Sequence, residues 1–383
     1  MRRLSSLAAL LCLAVALAAC IPETPPLPGD VDDPINDNDG ARAAAAIGAG
    51  SSVLPSCTSS SATQPAPPSS GPGSAGSHAL WLRSYGYGFR PLVNRTYLYL
   101  PRAPAAKRAP IVIYLPGYGG SSAGDLVYRN MLVHLARKGF AVMYVTYGGL
   151  VEPWRYEDNA LRGIRLGLRK LKELANWGIV DPDFANVALM GHSLGTIISA
   201  RLATRAKSYG LPVPKALVLH DAEGESAPTI RQLLSITDLS GIAASTKIVF
   251  LSAPTSLRET SAGEVSNETV AKIFHNSSAV PATNKVLLVV PSDDHGCPAM
   301  ISDHLGCLGL PGFLAVDAVD TWGYRRFSEA ALRWAFDGSH AEYFVGNKPE
   351  RTFLGTWSDG VAAEKMRIDV AAPKPGTVPV PGV

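Results

Sequence analysis

The chain is poor in cysteine, in charge and in anything resembling a repeat. Of 383 residues only 5 are Cys and 17% are charged, and 35 Lys and Arg against 32 Asp and Glu leave a net charge of +3. With no basic block, nothing forms an electrostatic footprint for nucleic acid. No C-x-x-C spacing occurs, so no zinc site is expected, and no other metal or cofactor either. The absence of self-similarity at a fixed period excludes a solenoid. The length and a 46% hydrophobic composition suffice for one large domain with disordered ends, which we expect to be monomeric.

The N-terminus has the architecture of an export signal. Arg2 and Arg3 precede an apolar stretch over residues 7–19, too short to span a bilayer stably. It ends Leu17-Ala18-Ala19-Cys20, which resembles a bacterial lipobox; that resemblance implies cleavage after residue 19, lipidation of Cys20 and anchoring of the protein to a membrane surface of the cell envelope. From Ile21 to about Ser77 the chain is rich in Pro, Ser, Gly, Ala and Asp without an apolar period, and residues 20–78 are expected to be a disordered tether. Residues 371–383, with four prolines, read as a second tail. An exported location permits disulfides, and Cys297 and Cys307 bracket a short loop as the plausible pair, with Cys57 left over.

Between these ends, apolar strand runs alternate with amphipathic helical spacing. Strands are expected over 81–87, 95–100, 110–115, 140–145, 187–191, 215–220, 247–251 and, as the last, 285–290. Helices are expected over 126–138, 157–177, after 193, and near 227–235, 266–274 and 321–336. The alternation implies an α/β domain over 79–370 with a mostly parallel central sheet and helices on both faces. Ligands of such sheets bind beyond the carboxyl ends of the strands.

At one of those ends stands Gly191-His192-Ser193-Leu194-Gly195, between an apolar strand and an apolar helix. This is the G-x-S-x-G spacing of a nucleophile elbow, in which flanking glycines allow a turn sharp enough to lift the serine hydroxyl clear of the sheet. A serine needs a base, and His295 follows the last apolar strand directly, in the loop where this fold places its base; His304 is the next choice. Asp221, at the end of strand 215–220, is the first candidate for the acid that orients the base, with Glu259 and Glu223 as alternatives. The glycine-rich loop Pro116-Gly117-Tyr118-Gly119-Gly120 offers the backbone N–H of Tyr118, which with that of Leu194 would form an oxyanion hole. Tyr118 and Trp154 are candidates to shape a pocket, Trp154 equally so for packing between helix and sheet. No insertion long enough to form a large lid is evident.

These motifs resemble the α/β-hydrolase superfamily over about residues 95–336. Pro116-Gly117-Tyr118 with the elbow glycines and Val180-Asp181-Pro182-Asp183 is similar to the branch of dienelactone hydrolases, cutinases and polyester hydrolases. Ser292-Asp293-Asp294-His295-Gly296 and Asp303-His304 resemble a group of bacterial hydrolases. The resemblance implies an α/β-hydrolase fold and hydrolysis of small or polymeric esters through Ser193, His295 and Asp221. The sequence departs from the pattern after strand 247–251, where Ser252-Ala253-Pro254-Thr255-Ser256 holds no Asp. Amide or thioester chemistry on the same residues, and a binding scaffold without catalysis, are the alternatives.

Overall fold

The computed structural model describes residues 61–88, 94–103, 107–118, 124–148, 152–224, 232, 234–259, 265–309, 314–369 and 378–379. The export signal, Cys20, Cys57 and most of the expected helix near 227–235 lie outside the described residues. Strands β1 (Ala79–Gly86) and β2 (Arg95–Ala103) open the domain, followed by β3 (Ala109–Leu115), helix α1 (Arg129–Arg137), β4 (Ala141–Val145), α2 (Tyr156–Asn176) and β5 (Pro182–His192). After the elbow come α3 (Leu194–Thr204), β6 (Ala216–His220), β7 (Lys247–Ser252), two short strands β8 (Arg258–Glu259) and β9 (Val265–Ser266), α4 (Glu268–Asn276) and β10 (Lys285–Val289). A π-helical turn over Val319–Arg325 leads into α5 (Arg326–Asp337), and β11 (Arg367–Asp369) and β12 (Val378–Pro379) close the chain.

Among the described residues, nine strands form one sheet in the order β1-β2-β4-β3-β5-β6-β7-β10-β11. The run from β4 to β10 is parallel throughout, while β1, β2 and β11 add antiparallel edges. The sheet is therefore mixed, mostly parallel, and of the α/β class. Alternate residues of each inner strand feed two cores. Ile111, Ile113 and Leu115 join the apolar faces of α2, α3 and α4; Val112 and Tyr114 join those of α1 and α5. Period two sends side chains to both sides, and helices bury both.

Four expectations are corrected. Strand 285–290 is not the last, since β11 pairs antiparallel with β10. Residues 61–78 are not tether. Ala62 is buried in the core beside Trp357, the Gln64 amide donates to the carbonyls of Pro298 and Ala299 and accepts from Ala318 N–H, and Gly73 N–H reaches the Glu329 carboxylate at 3.0 Å. Proline and serine content argued for disorder, but hydrogen bonds to distant loops hold this segment in place without an apolar period. The C-terminal segment likewise contributes β12, paired antiparallel with β8. The expected Cys297–Cys307 pair does not form: Cys307 is a buried free thiol, and Cys297 is disulfide-bonded to a partner outside the described residues.

The order β4-β3-β5 positions the site. From β3 the chain passes to one neighbour, β4, and then returns to the other side, to β5. The strand order thus reverses between β3 and β5, and such a topological switch point is where sheets of this class bind ligands, beyond the strand carboxyl ends.

Candidate functional site

Ser193 lies at that switch point, between the end of β5 and the start of α3. Its backbone is strained, with φ 51° and ψ −122°. A non-glycine residue in such a region costs on the order of 1–3 kcal/mol and persists only where its surroundings enforce it. Here they do: Ser193 N–H is held by the His220 carbonyl at 3.0 Å, and its own carbonyl accepts from Thr196 N–H and Oγ1. The two glycines are sterically required. A Cβ on Gly191 would sit 2.5 Å from the Gly195 carbonyl oxygen, and one on Gly195 would press into the carbonyls of Leu115 and Pro116. Helix α3 therefore starts directly over the ends of β3 and β5, with its first N–H groups, Leu194 foremost, lacking intrahelical acceptors.

The ring facing Ser193 belongs to His304. Its Nε2 lies 3.1 Å from Ser193 Oγ, and its side chain is 23% exposed. His295 is placed elsewhere, which corrects the expectation that it is the base. Its Nε2 binds Asp359 Oδ2 at 2.7 Å, and its ring lies 5.6 Å from Trp357. The reason is the path of the loop after β10. Asp293 and Met300 bridge as a miniature hairpin, and Asp293 is anchored by Trp357 Nε1 and Glu364 N–H. That excursion ties His295 to the 357–364 segment, and the chain reaches Ser193 only at residue 304.

On its other nitrogen, His304 meets two groups. Nδ1 is 3.1 Å from Ser256 Oγ and 3.4 Å from Glu223 Oε2. Ser256 ends a 3₁₀ turn, Pro254–Ser256, directly after β7, and occupies the stretch that lacks an Asp. Behind it stands Asp221, fully buried at the end of β6 with φ 45°. Asp221 Oδ1 accepts from Ala253 N–H at 2.7 Å and Oδ2 from Tyr324 at 2.7 Å. Burial pushes its carboxyl up to about 6, opposed by the nearby His304 ring and by hydrogen bonds from Ala253, Tyr324 and the Ser256 hydroxyl. Asp221 thus approaches the imidazole through a hydroxyl, whereas Glu223, 48% exposed, reaches it directly. Glu259 lies on β8. The sequence contained no signal for Ser256, because a serine after a strand is unremarkable until a ring faces it. Asn267 holds this turn: its Nδ2 donates to the carbonyls of Ala222 and Ser256, both at 2.8 Å, while its Oδ1 caps α4.

The loop after β3 lies against the elbow. A Cβ on Gly117 would be 3.0 Å from both the Ser193 Cβ and His192 Nδ1. Gly117 N–H is bonded to Tyr128 Oη at 2.8 Å, and the next N–H along the loop is that of Tyr118. The Tyr118 side chain is 44% exposed and lies beside Tyr156, ring centroids 6.4 Å apart. Trp154 is 62% exposed and is not packed between helix and sheet.

His192, at the variable position of the elbow, is buried. Its Nδ1 is 2.9 Å from Tyr128 Oη and its Nε2 2.8 Å from the His304 carbonyl oxygen. Burial holds its pKa well below the usual histidine range, and the neighbouring His304 lowers it further. His192, Asp221 and Cys307 bring potential ligand atoms within 4.8 Å of one another. Both His192 nitrogens and both Asp221 oxygens are engaged by protein groups, and burial pushes the Cys307 thiol far up, which disfavours the thiolate a metal would take. Among the described residues no helix is long and apolar enough to cross a membrane. Compared with known proteins, the chain matches no family model and no curated protein sequence.

Proposed function

We propose that this chain is a serine hydrolase of carboxylic esters on an α/β-hydrolase fold, with Ser193 as nucleophile and His304 as base. The observation that carries the reading is the 3.1 Å contact between Ser193 Oγ and His304 Nε2 at a strained elbow. A serine hydroxyl is a weak nucleophile until a neighbouring base takes its proton, and strain of this kind accumulates at functional sites.

His304 Nε2 accepts the hydroxyl proton as Ser193 Oγ attacks the ester carbonyl. The Leu194 and Tyr118 N–H groups receive the charge that develops on the carbonyl oxygen. His304 Nδ1–H then donates to Ser256 Oγ, whose own proton points to Asp221, so the buried carboxylate stabilises the imidazolium at one remove. Glu223 adds a second, solvent-facing negative charge. His304 returns the proton to the departing alcohol, leaving an acyl-serine. It next deprotonates a water that attacks this ester, and the acid leaves as Ser193 regains its proton.

The test is hydrolysis of short p-nitrophenyl esters together with fluorophosphonate labelling. Ser193→Ala and His304→Gln are expected to lower kcat by about 10⁴-fold or more, as removal of a nucleophile or base does. His295→Gln is expected to stay within about threefold of wild type, since its ring is tied to Asp359. Equal activity of the Ser193→Ala protein, or loss with His295→Gln and retention with His304→Gln, overturns the assignment.

A further inference from the structure

Three parts of the proposed machinery arrive from separate places in the chain: the oxyanion loop after β3, the nucleophile after β5, and the base in the excursion after β10. Each must be held to within a fraction of an ångström for the chemistry to proceed. A single side chain touches or adjoins all three, and the proposed reaction gives it no proton to carry.

We propose that His192 is a positioning residue that fastens the oxyanion loop to the base-bearing loop beneath the nucleophile. The line runs from Gly117 N–H to Tyr128 Oη, 2.8 Å, from Tyr128 to His192 Nδ1, 2.9 Å, and from His192 Nε2 to the His304 carbonyl, 2.8 Å. Its direction follows from chemistry. A carbonyl only accepts, so Nε2 carries the hydrogen and Nδ1 is the acceptor. The Tyr128 hydroxyl therefore donates to Nδ1 and accepts from Gly117. Every polar atom in the line has a partner, the Tyr128 hydroxyl serving once as donor and once as acceptor, and the neutral Nε2–H tautomer fits this pattern. The next peptide after Gly117 carries the Tyr118 N–H of the oxyanion hole. The residue at the other end is His304 itself, and the residue after His192 is Ser193. The ring of His192 packs 5.0 Å from the ring of His304 and 5.8 Å from that of Tyr128. The bonds from Gly117 through Tyr128 to His192 are buried and so compete little with solvent, while the bond to the His304 carbonyl is part-buried.

The inference rests on the hydrolase reading for its catalytic consequence, but the mechanical coupling is testable without it. Amide exchange at Gly117 and esterase kinetics are measured for wild type, Tyr128→Phe, His192→Phe and His192→Gln. Glutamine carries an acceptor and a donor side by side, as the neutral ring does; phenylalanine carries neither. In both phenylalanine variants, Gly117 exchange is expected to accelerate by about tenfold or more. Their kcat is expected to fall by about 100-fold, with KM for a small ester changed little, because a displaced donor or base affects the transition state more than ground-state binding. His192→Gln is expected to recover most of both losses. Unchanged Gly117 exchange in His192→Phe overturns the coupling. Coupled exchange with wild-type kcat in the phenylalanine variants overturns the positioning role. A wild-type protein inert toward esters and fluorophosphonate, with exchange still coupled, overturns the hydrolase reading and leaves His192 as a brace between two loops.

Discussion

Around Asp221, the His304 ring and hydrogen bonds from Ala253, Tyr324 and Ser256 favour the charged carboxylate, and burial opposes it more strongly. With burial raising its carboxyl from the ordinary 3.8 to about 6, the folded protein binds more protons than the unfolded chain between those values. The stability this group allows is therefore full below about pH 4 and declines as pH rises through 6. Above that, the buried charge costs on the order of 3 kcal/mol. Asp221→Asn retains the shape without the charge: its oxygen keeps the bond from Ala253 N–H, and its NH2 replaces an acceptor facing the Tyr324 and Ser256 hydroxyls, which can turn to accept. At pH 8 it is expected to be at least as stable as wild type, by up to about 3 kcal/mol, while kcat drops by about 10²-fold or more. Urea unfolding at pH 5 and pH 8 checks this; a variant less stable than wild type at pH 8 contradicts it. Residues such as Ser193, Gly191 and Gly195 were legible in the sequence because their roles are local: the turn itself demands them. The sequence favoured His295 over His304 as the base because it directly follows a strand; both lie in one loop, and Trp357 and Asp359, far along the chain, decide which ring faces away.

At the scale of elements, the site depends on how helix and strand termini are tied together. Asn267 is the N-cap of α4 and also clamps the ends of β6 and the 3₁₀ turn that carries Ser256. Asn267→Asp separates these tasks. Asp caps a helix as well as Asn does, but it loses both amide hydrogens and sets a carboxylate oxygen against two carbonyls. The variant is expected to be about 1–3 kcal/mol less stable and to show a kcat reduced by about tenfold as Ser256 shifts from His304. If both stability and kcat match wild type, the clamp has no role in the site. The helices and strands themselves were readable, because periods of 3.6 and 2 are properties of a segment alone. Helix α4 was expected from its periodicity over 266–274, but nothing in that pattern shows that its cap reaches across to another strand's turn.

Across the whole molecule, the segment before β1 behaves as a strap. Ala62 accepts from Cys297 N–H at 2.8 Å, Ala66 from Trp322 Nε1 at 2.8 Å, and Gly73 donates to Glu329, a buried carboxylate that also meets His134 and Lys138. A chain beginning at Ala79 would uncover Trp357 and leave Glu329 short of a donor. Relative to one beginning at Ser61, it is expected to lose on the order of 3–5 kcal/mol, read as a lower urea midpoint. Equal midpoints would show that the strap adds nothing. The loss should extend to activity, because Trp357 and the strap together hold the loop that ends in His304.

The sequence by itself determined the strand and helix alternation, the strained elbow at Ser193 and the glycine loop at 116–118. Each of these follows from the steric and apolar demands of a few consecutive residues. Only the tertiary structure decided which histidine meets the serine, that Ser256 stands between His304 and Asp221, that Cys307 remains a free thiol, and that residues 61–78 belong to the domain. Those outcomes depend on contacts between segments tens to hundreds of residues apart. Such contacts are set by where the folded sheet brings its loops together, and no short-range pattern encodes them.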